Sequence, residues 1–375
     1  MAKSRIPEKV QRALWARAAG RCQFRGCNCE LIGDLLSGKE DKMFGFVAHI
    51  VADSPEGARG HPTRSALLAR DITNLMLLCA KCHRLIDNEA PDDHPEELLV
   101  LMKEEHERRV RLASGIQPDR ASHVIRFGAN IGKNEALVAR EDIFASMLPE
   151  RSPASFETID LEMLGLSLDD TDEQYWQVQQ TNLQRLFADK IRGRIERQQI
   201  THASVFALAP QPLLIELGRQ LCDILPAEIH QRHREPATWK WQNDTPSVEF
   251  KTETPGEIRP TVALILALSA SISQDRVTSV LGDETSIWSL TAKSPHNDIM
   301  RSPADLSRFR SDLRRLFDMI KTAHGEGASI HVFPALPVSA AVEVGRVWMP
   351  KADLQLHVFD QNRKLGGFVS ALHIS

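Results

Sequence analysis

The sequence predicts two domains of different class: a small α+β domain first, and behind it a larger α/β domain built of two similar halves. Three observations carry this expectation. Cysteines gather early in the chain as two close pairs, in "CQFRGC" and "CAKC". From about residue 123 apolar strand-like runs alternate with amphipathic helical stretches, the pattern of a parallel sheet with helical crossovers. One stretch also occurs twice. "VFALAPQPLLIELGR" at 205–219 and "VFPALPVSAAVEVGR" at 332–346 share Val, Phe, Pro, Glu, Gly and Arg at the same offsets without a gap.

Composition sets bounds on both. A chain of 375 residues with 42% hydrophobic and 26% charged residues can bury two or three separate cores. Its longest apolar run, "VALILAL" at 262–268, falls far short of the roughly 20 residues that span a bilayer. No membrane association is expected, and the run reads as a buried parallel strand. The start "MAKSRIPEKVQRALWARAAGR" is basic like an organellar presequence but runs into the cysteine cluster without a cleavable spacer, so a cytoplasmic protein is expected. There, cysteines signal metal or buried thiols more often than disulfides, and Cys222, on an apolar helix, is expected to be a buried thiol. The net charge of −4 argues against constitutive tight DNA binding. Residues 1–25 nevertheless hold Lys3, Arg5, Lys9, Arg12, Arg17, Arg21 and Arg25 against Glu8 alone. That is either a local phosphate contact or a solvated helix face.

The first domain is placed at 1–112 and a linker at 113–122. Cys22, Cys27, Cys79 and Cys82 can supply four thiolates to one tetrahedral zinc, with Cys29 as a substitute for Cys27. Four sulfurs leave no position for water, so this zinc is expected to be structural. Between the pairs, an apolar run from Phe44 to Val47 reads as a strand delivering His49. Asn74 precedes a second apolar run, and His83 follows Cys82 at a helix start. The loop "ADSPEGARGHPTRS" reads as surface, with Arg59 and Arg64 available to phosphates. "HPEELLVLMKEEHERRVRL" reads as a closing helix, apolar at Leu98, Leu99, Met102 and Val110, acidic early and basic late.

In this order, "AHI", Asn74 followed by Leu75, and the C-x-x-C-H of 79–83 resemble the HNH endonucleases, a ββα-metal fold, over about residues 5–110. The resemblance implies that His49 is the general base, that Asn74 orients the His49 ring or assists the metal site, and that His83 is a ligand of a catalytic divalent ion, magnesium or similar. Phosphodiester hydrolysis needs a base for water and a cation at the phosphate. One departure stands out. Many family members have Asp before the base histidine, where this chain has Ala48, leaving Asp53, Asp71, Asp87 or His61 to complete the coordination.

The second domain is placed at 123–375. "SHVIRFGANIG", "HASVFALAP", "PTVALILALSASIS" and "ADLQLHVF" read as strands. "EQYWQVQQTNLQRLFADKIRGRIERQQ", "PLLIELGRQLCDIL" and "SPADLSRFRSDLRRLFDMIKTAHG" read as helices, the last with Ser302 as N-cap, Pro303 in its first turn and Gly325 at its end. Each repeat copy is therefore a strand, a Pro-containing loop and a helix, and together two such units offer two anion-friendly helix starts at the carboxyl edges of strands. Near those edges, Ser269, Ser271, Lys293, Phe333, Arg346, Trp176 and Trp239 are candidates to hold bases and phosphates, with Tyr175 and Trp241 as further aromatics. Arg346 is equally placed to pair with Glu343 one turn earlier.

"VFPALPVSAAVEVGR", "LALSASI" and the "DLSRF" helix resemble the SAVED domain, a fused pair of CARF-like Rossmann halves that senses cyclic oligonucleotides. The order of the two domains resembles the HNH–SAVED effectors of cyclic-oligonucleotide-based anti-phage signalling systems (CBASS). That resemblance implies a metal-dependent endonuclease degrading double-stranded DNA, a cyclic di- or trinucleotide activator, and a homo-oligomer, dimer or tetramer, on activation. Two alternatives stand beside it: a restriction-type nuclease whose second domain reads DNA, and a non-enzymatic zinc DNA-binding regulator with a nucleotide sensor.

Overall fold

A computed structural model describes residues 5–33, 42–131, 139–163, 174–242, 245–362 and 366–375; Lys3 of the basic start lies outside them. The chain divides into two compact units, one up to Ile116 and one from Gln117. No helix among the described residues is long and apolar enough to cross a membrane.

In the first unit, α1 (Glu8–Ala18) stops where Ala19 turns left-handed. Strand β1 (Phe46–His49) and, beyond the short α2 (Arg64–Leu68), strand β2 (Leu75–Leu78) form an antiparallel pair, with Phe46 opposite Leu78 and His49 opposite Leu75. Helix α3 (Ala80–Arg84) follows directly and runs on through a π turn at Leu85–Glu89. The last helix, α4 (Glu96–Ser114), has Glu96 and Glu97 in its first turn and Arg111 in its last, which complements its dipole. A small core of Leu14, Leu31, Ala48, Leu75, Leu77, Ile86 and Leu99 holds these elements together. The basic start is partly neutralised: Arg12 pairs with Glu8 and Arg25 with Glu105. Helix α4 ends at Ser114 and the next strand begins at Ala121, so the connection is shorter at both ends than the sequence suggests.

The second unit holds two sheets. In its first half lie β3 (Ala121–Gly128), α5 (Arg140–Met147), β4 (Ser152–Pro153), β5 (Ile159–Asp160), α6 (Tyr175–Phe187), α7 (Gly193–Glu196), β6 (Ala203–Leu208), α8 (Gln211–Leu221) and β7 (Ala227–Ile229). Their parallel sheet has the order β4-β3-β6-β7, with β5 also paired to β3. The second half contains β8 (Phe250–Glu253), β9 (Thr261–Ala267), α9 (Gln274–Leu281), β10 (Thr285–Ala292), α10 (Pro303–His324), β11 (Ser329–Ala335), α11 (Val338–Val347), β12 (Gln355–Asn362) and β13 (Gly367–Ile374). Its order is β13-β12-β11-β9-β10-β8, parallel in the middle and antiparallel at both edges. The sequence shows no separate signal for β13, because its alternation is weak on an edge that is half exposed. Ser302 caps α10 by accepting the Asp305 amide, as its N-cap position requires.

The repeat is explained by contact between its two copies. Helices α8 and α11 pack backbone to backbone. A Cβ on Gly218 would stand 1.9 Å from the Val342 carbonyl oxygen, and one on Gly345 would stand 1.9 Å from that of Ile215. The shared glutamates, Glu216 and Glu343, are buried beside this crossing and bind the shared arginines one turn on, Arg219 at 2.9 Å and Arg346 at 3.0 Å. Three of the repeated positions, those of Glu, Gly and Arg, thus serve a pseudo-symmetric helix pair. Gly345→Val should force the two halves apart at a cost of about 1–3 kcal/mol or more, read as a lower denaturant midpoint for the second unit; an unchanged midpoint would mean the helices do not touch there.

Candidate functional site

In the first unit the chemistry gathers around β1, β2 and α3. The sulfurs of Cys22, Cys27, Cys79 and Cys82 all lie within 4.8 Å of one another, with Cys27 and Cys79 at 3.9 Å. A zinc tetrahedron with 2.3 Å bonds has edges of about 3.8 Å, so the four residues fit such an ion. The fold presents them on knuckles: Cys79 Sγ caps α3 by accepting the Cys82 amide at 3.4 Å, and Cys22 Sγ accepts the Cys79 amide at 3.4 Å. Burial pushes the Cys22 thiol up to about 11. The Cys79 thiol, also raised by burial, is drawn down to about 7 by the Cys82 amide and the neighbouring thiols. One thiolate therefore forms near neutral pH, and metal binding would displace the remaining protons. Cys29 lies 3.6 Å from Cys27 and outside the four.

His49 sits at the end of β1, half-buried, with Nε2 3.0 Å from the Ala69 carbonyl. A carbonyl only accepts, so Nε2 carries the proton and the lone pair is on Nδ1. Asn74 does not reach the His49 ring. Its side chain is spent on backbone: Oδ1 accepts the Val51 amide at 2.8 Å, and Nδ2 donates to the Val51 and Leu68 carbonyls at 2.9 and 3.3 Å. Asn74 thus pins the chain just beyond His49, and the expected bond to the imidazole gives way to a backbone clamp.

His83, on α3, stacks on Phe46 of β1 at 5.3 Å and places Nε2 3.2 Å from Asp87. Asp87, one of the carboxylates considered, is brought to His83. Burial pushes its carboxyl up, but His83 and Arg59 outweigh this and hold it below the ordinary value. Asp71 instead caps the turn at Ile72–Asn74, and the exposed His61 accepts the Thr63 and Arg64 amides at 3.3 Å. Arg59 is not available to phosphates as expected. Its buried guanidinium binds Asp87, Ile50 O and Ile86 O, each at 2.7 Å. Arg64 is likewise occupied, by Glu96. The i,i+4 spacing of His83 and Asp87 was a readable helical signal for their pairing. Arg59 carried no such signal, because its partners are mostly backbone.

In the second unit several residues expected to contact a ligand have protein partners in this structure. Trp176, Trp239 and Phe333 are at most 5% exposed and belong to hydrophobic clusters. Arg346 is spent on Glu343 and the Ala227 carbonyl, and the exposed Lys293 pairs with Glu249 at 2.8 Å. Cys222, expected to be buried, is only partly so. Ser269 and Ser271 do stand at the carboxyl edge of β9, half-buried and exposed respectively, and the Ser269 amide donates to Ala335 O at 2.8 Å. That edge also holds two glutamines the sequence did not single out. Gln211 Oε1 accepts the Leu336 amide at 2.9 Å, and buried Gln231 Oε1 accepts both the amide and hydroxyl of Ser339 at 3.1 and 2.8 Å. Both tie one half to the other at the start of α11.

Two fused Rossmann-like halves, joined through paired helices with their carboxyl edges side by side, define a sensor-type α/β domain. The chain belongs to the SAVED family: residues 183–374, just over half of it, match the model of the "SMODS-associated and fused to various effectors sensor domain". No curated protein matches the chain. Similar solved structures include an Acinetobacter baumannii Cap4 SAVED/CARF-domain containing receptor with the cyclic trinucleotide 2'3'3'-cAAA (12% identity, 74% of this chain and 55% of that one, TM-score 0.43). The same receptor with 3'3'3'-cAAA shows 10% identity over 84% of this chain and 67% of that one, TM-score 0.41. A Moraxella osloensis Cap4 SAVED/CARF-domain containing receptor shows 11% identity over 75% and 54%, TM-score 0.41. The chain thus spans little more than half the length of the first of these.

Two outcomes follow for the first unit. Cys82→Ser should lower zinc content by about one ion per chain and expose residues 5–114 to proteolysis while sparing the second unit; a protease-resistant, zinc-free variant would show that the cysteines do not depend on metal. Asp87→Ala strands the Arg59 guanidinium and should cost the first unit about 1–3 kcal/mol, seen as faster amide exchange across residues 46–90. Unchanged exchange there would remove Asp87 from the framework.

Proposed function

We propose that this chain is a cyclic-oligonucleotide-controlled DNA endonuclease. Its SAVED domain receives a cyclic di- or trinucleotide, and its first unit, an HNH-type ββα-metal domain held by a structural zinc, hydrolyses DNA phosphodiesters. One observation supports the nuclease half above the others: the antiparallel β1–β2 pair ends at His49, and the helix after it carries the His83–Asp87 pair, beside a four-cysteine cluster. Family membership supports the sensor half.

In this reading His49 Nδ1 accepts a proton from the attacking water, with the ring held by Nε2–H to Ala69 O. Asn74 fixes the Val51 backbone and so the direction in which His49 leaves β1. His83 and Asp87 would hold a divalent ion, magnesium or similar, with Asp87 as the oxygen ligand, and the ion would neutralise charge at the phosphate. Cutting both antiparallel strands efficiently needs two such sites related by a two-fold, so activation would assemble the chain into dimers or tetramers. The ligand drives that assembly only through differential affinity for the active state. One observation favours a non-enzymatic regulator instead: Ala48 stands where many HNH enzymes carry a metal-binding Asp.

Plasmid cleavage across a panel of cyclic nucleotides, with light scattering alongside, tests the proposal. Cleavage should require one of them together with a divalent ion, and it should coincide with an increase in mass. His49→Ala should lower the rate about 100-fold or more with nucleotide binding intact. DNA binding without cleavage under every condition would establish the regulator, and full cleavage without nucleotide would refute the control mechanism.

A further inference from the structure

Three histidines form a row across the last three neighbouring strands of the larger sheet. His331 on β11 is the register partner of His357 on β12, and His357 is that of His373 on β13. Their neighbours Val332, Val358 and Leu372 point to the opposite face, into the main core. The histidines share their own face with Phe333 and Phe359, where His331 and His357 are half-buried and His373 is exposed. Among the described residues the histidine–carboxylate pairs are those of His83 and His202, so this row has no acidic partner of that kind.

The geometry of the row is specific. His357 Nε2 and His373 Nε2 face each other at 2.8 Å, with ring centroids 3.7 Å apart and planes at 88°. His331 lies stacked behind His357, centroids 4.9 Å apart and planes at 24°. Its Nδ1 donates to the Val262 carbonyl at 3.0 Å, which fixes the ring and leaves the lone pair on Nε2. Imidazole binds metals through a ring-nitrogen lone pair. An ion with metal–nitrogen bonds of about 2.0–2.1 Å places adjacent nitrogen ligands about 2.9–3.4 Å apart. The two facing nitrogens lie close to that separation, and reorienting the exposed His373 ring would turn them into a two-point grip.

We propose that His357 and His373 form a binding site for a divalent transition-metal ion of the zinc, nickel or copper class, with His331 as the stacking residue that orients His357. Imidazole nitrogens select these ions over magnesium or calcium. With two protein ligands the shell is completed by water, so the ion binds more weakly and exchanges more readily than one held by four thiolates. Its effect on the fold is direct: β13 is the edge strand of its sheet, paired there with β12, and an ion bridging His357 and His373 would add a tie between these two strands.

The test uses the full untagged chain, loaded with zinc at its cysteines and then titrated with nickel by calorimetry. One nickel per chain is expected here in addition to any held at His83 and Asp87, with a raised unfolding temperature for the second unit. His357→Ala and His373→Gln should each weaken that binding about tenfold or more; because His373 is exposed, its variant should keep the parent's fold by circular dichroism. Copper bound at the same site should show coupling to two nitrogens in its electron paramagnetic resonance spectrum. Nickel bound by both variants as tightly as by the parent would overturn the site. His331→Phe keeps a stacking ring and should keep the binding; loss there would overturn its stacking role and make it a third ligand.

Discussion

The close contact of α8 with α11 is the constraint on which the second unit depends. Two helices can approach until backbone meets backbone only where both lack a Cβ at the crossing, and Gly218 and Gly345 meet that need reciprocally. Once the helices are locked, the sheets that precede them are locked too, because each helix follows its strand through a loop of two residues, Ala209–Pro210 or Leu336–Pro337. The carboxyl edges of β6 and β11 are then held side by side, and Gln211 and Gln231 add hydrogen bonds from one half to the other. A ligand that reads both halves at once needs this fixed spacing.

The buried Glu–Arg pairs beside the crossing act differently from the glycines. Glu216 is fully buried and is met by Arg219, Gln220, Gln180 and Gln184. Glu343 sits against Arg346 and Arg310. Burial raises Glu343, and the two arginines oppose that rise. Paired buried charges of this kind contribute little net stability, but removing one partner leaves the other uncompensated and is costly. The partners of both glutamates lie on the same helix or on α6 and α10, so the pairs brace each helix of the crossing from its own side rather than bridging α8 to α11.

How much of this the sequence disclosed follows from how local each signal is. The repeat was visible as identical residues at identical offsets, and so were the strand–loop–helix units and the N-cap of α10, because periodicity and capping are local. The purpose of the repeat was not visible. Glycine and arginine at the end of a helix read equally as packing or as anion recognition, and only the partner helix decides between them. The burial of Trp176, Trp239 and Phe333 was hidden for the same reason, since an aromatic near a predicted loop gives no hint of which way it faces. In the first unit the cysteine pairs announced themselves by spacing. Arg59 did not: its neighbours Ile50, Ile86 and Asp87 come together only when β1 and the π turn after α3 are packed.

Ala48 shows how the proposed nuclease site departs from the HNH pattern it resembles. It is 1% exposed and packs in the cluster that includes Leu75, Cys82 and Ile86, so a carboxylate there would enter an apolar core without a described donor beside it. An anionic ligand is easier to hold one helical turn beyond His83, where Asp87 already has two partners. Arg59 neutralises that carboxylate in the absence of an ion, which keeps the site from being an uncompensated buried charge. The same arginine competes with any cation for Asp87. Metal occupancy in the proposed enzyme would therefore depend on Arg59 giving up one of its three contacts, and the Ile50 and Ile86 carbonyls are positioned to keep its other two.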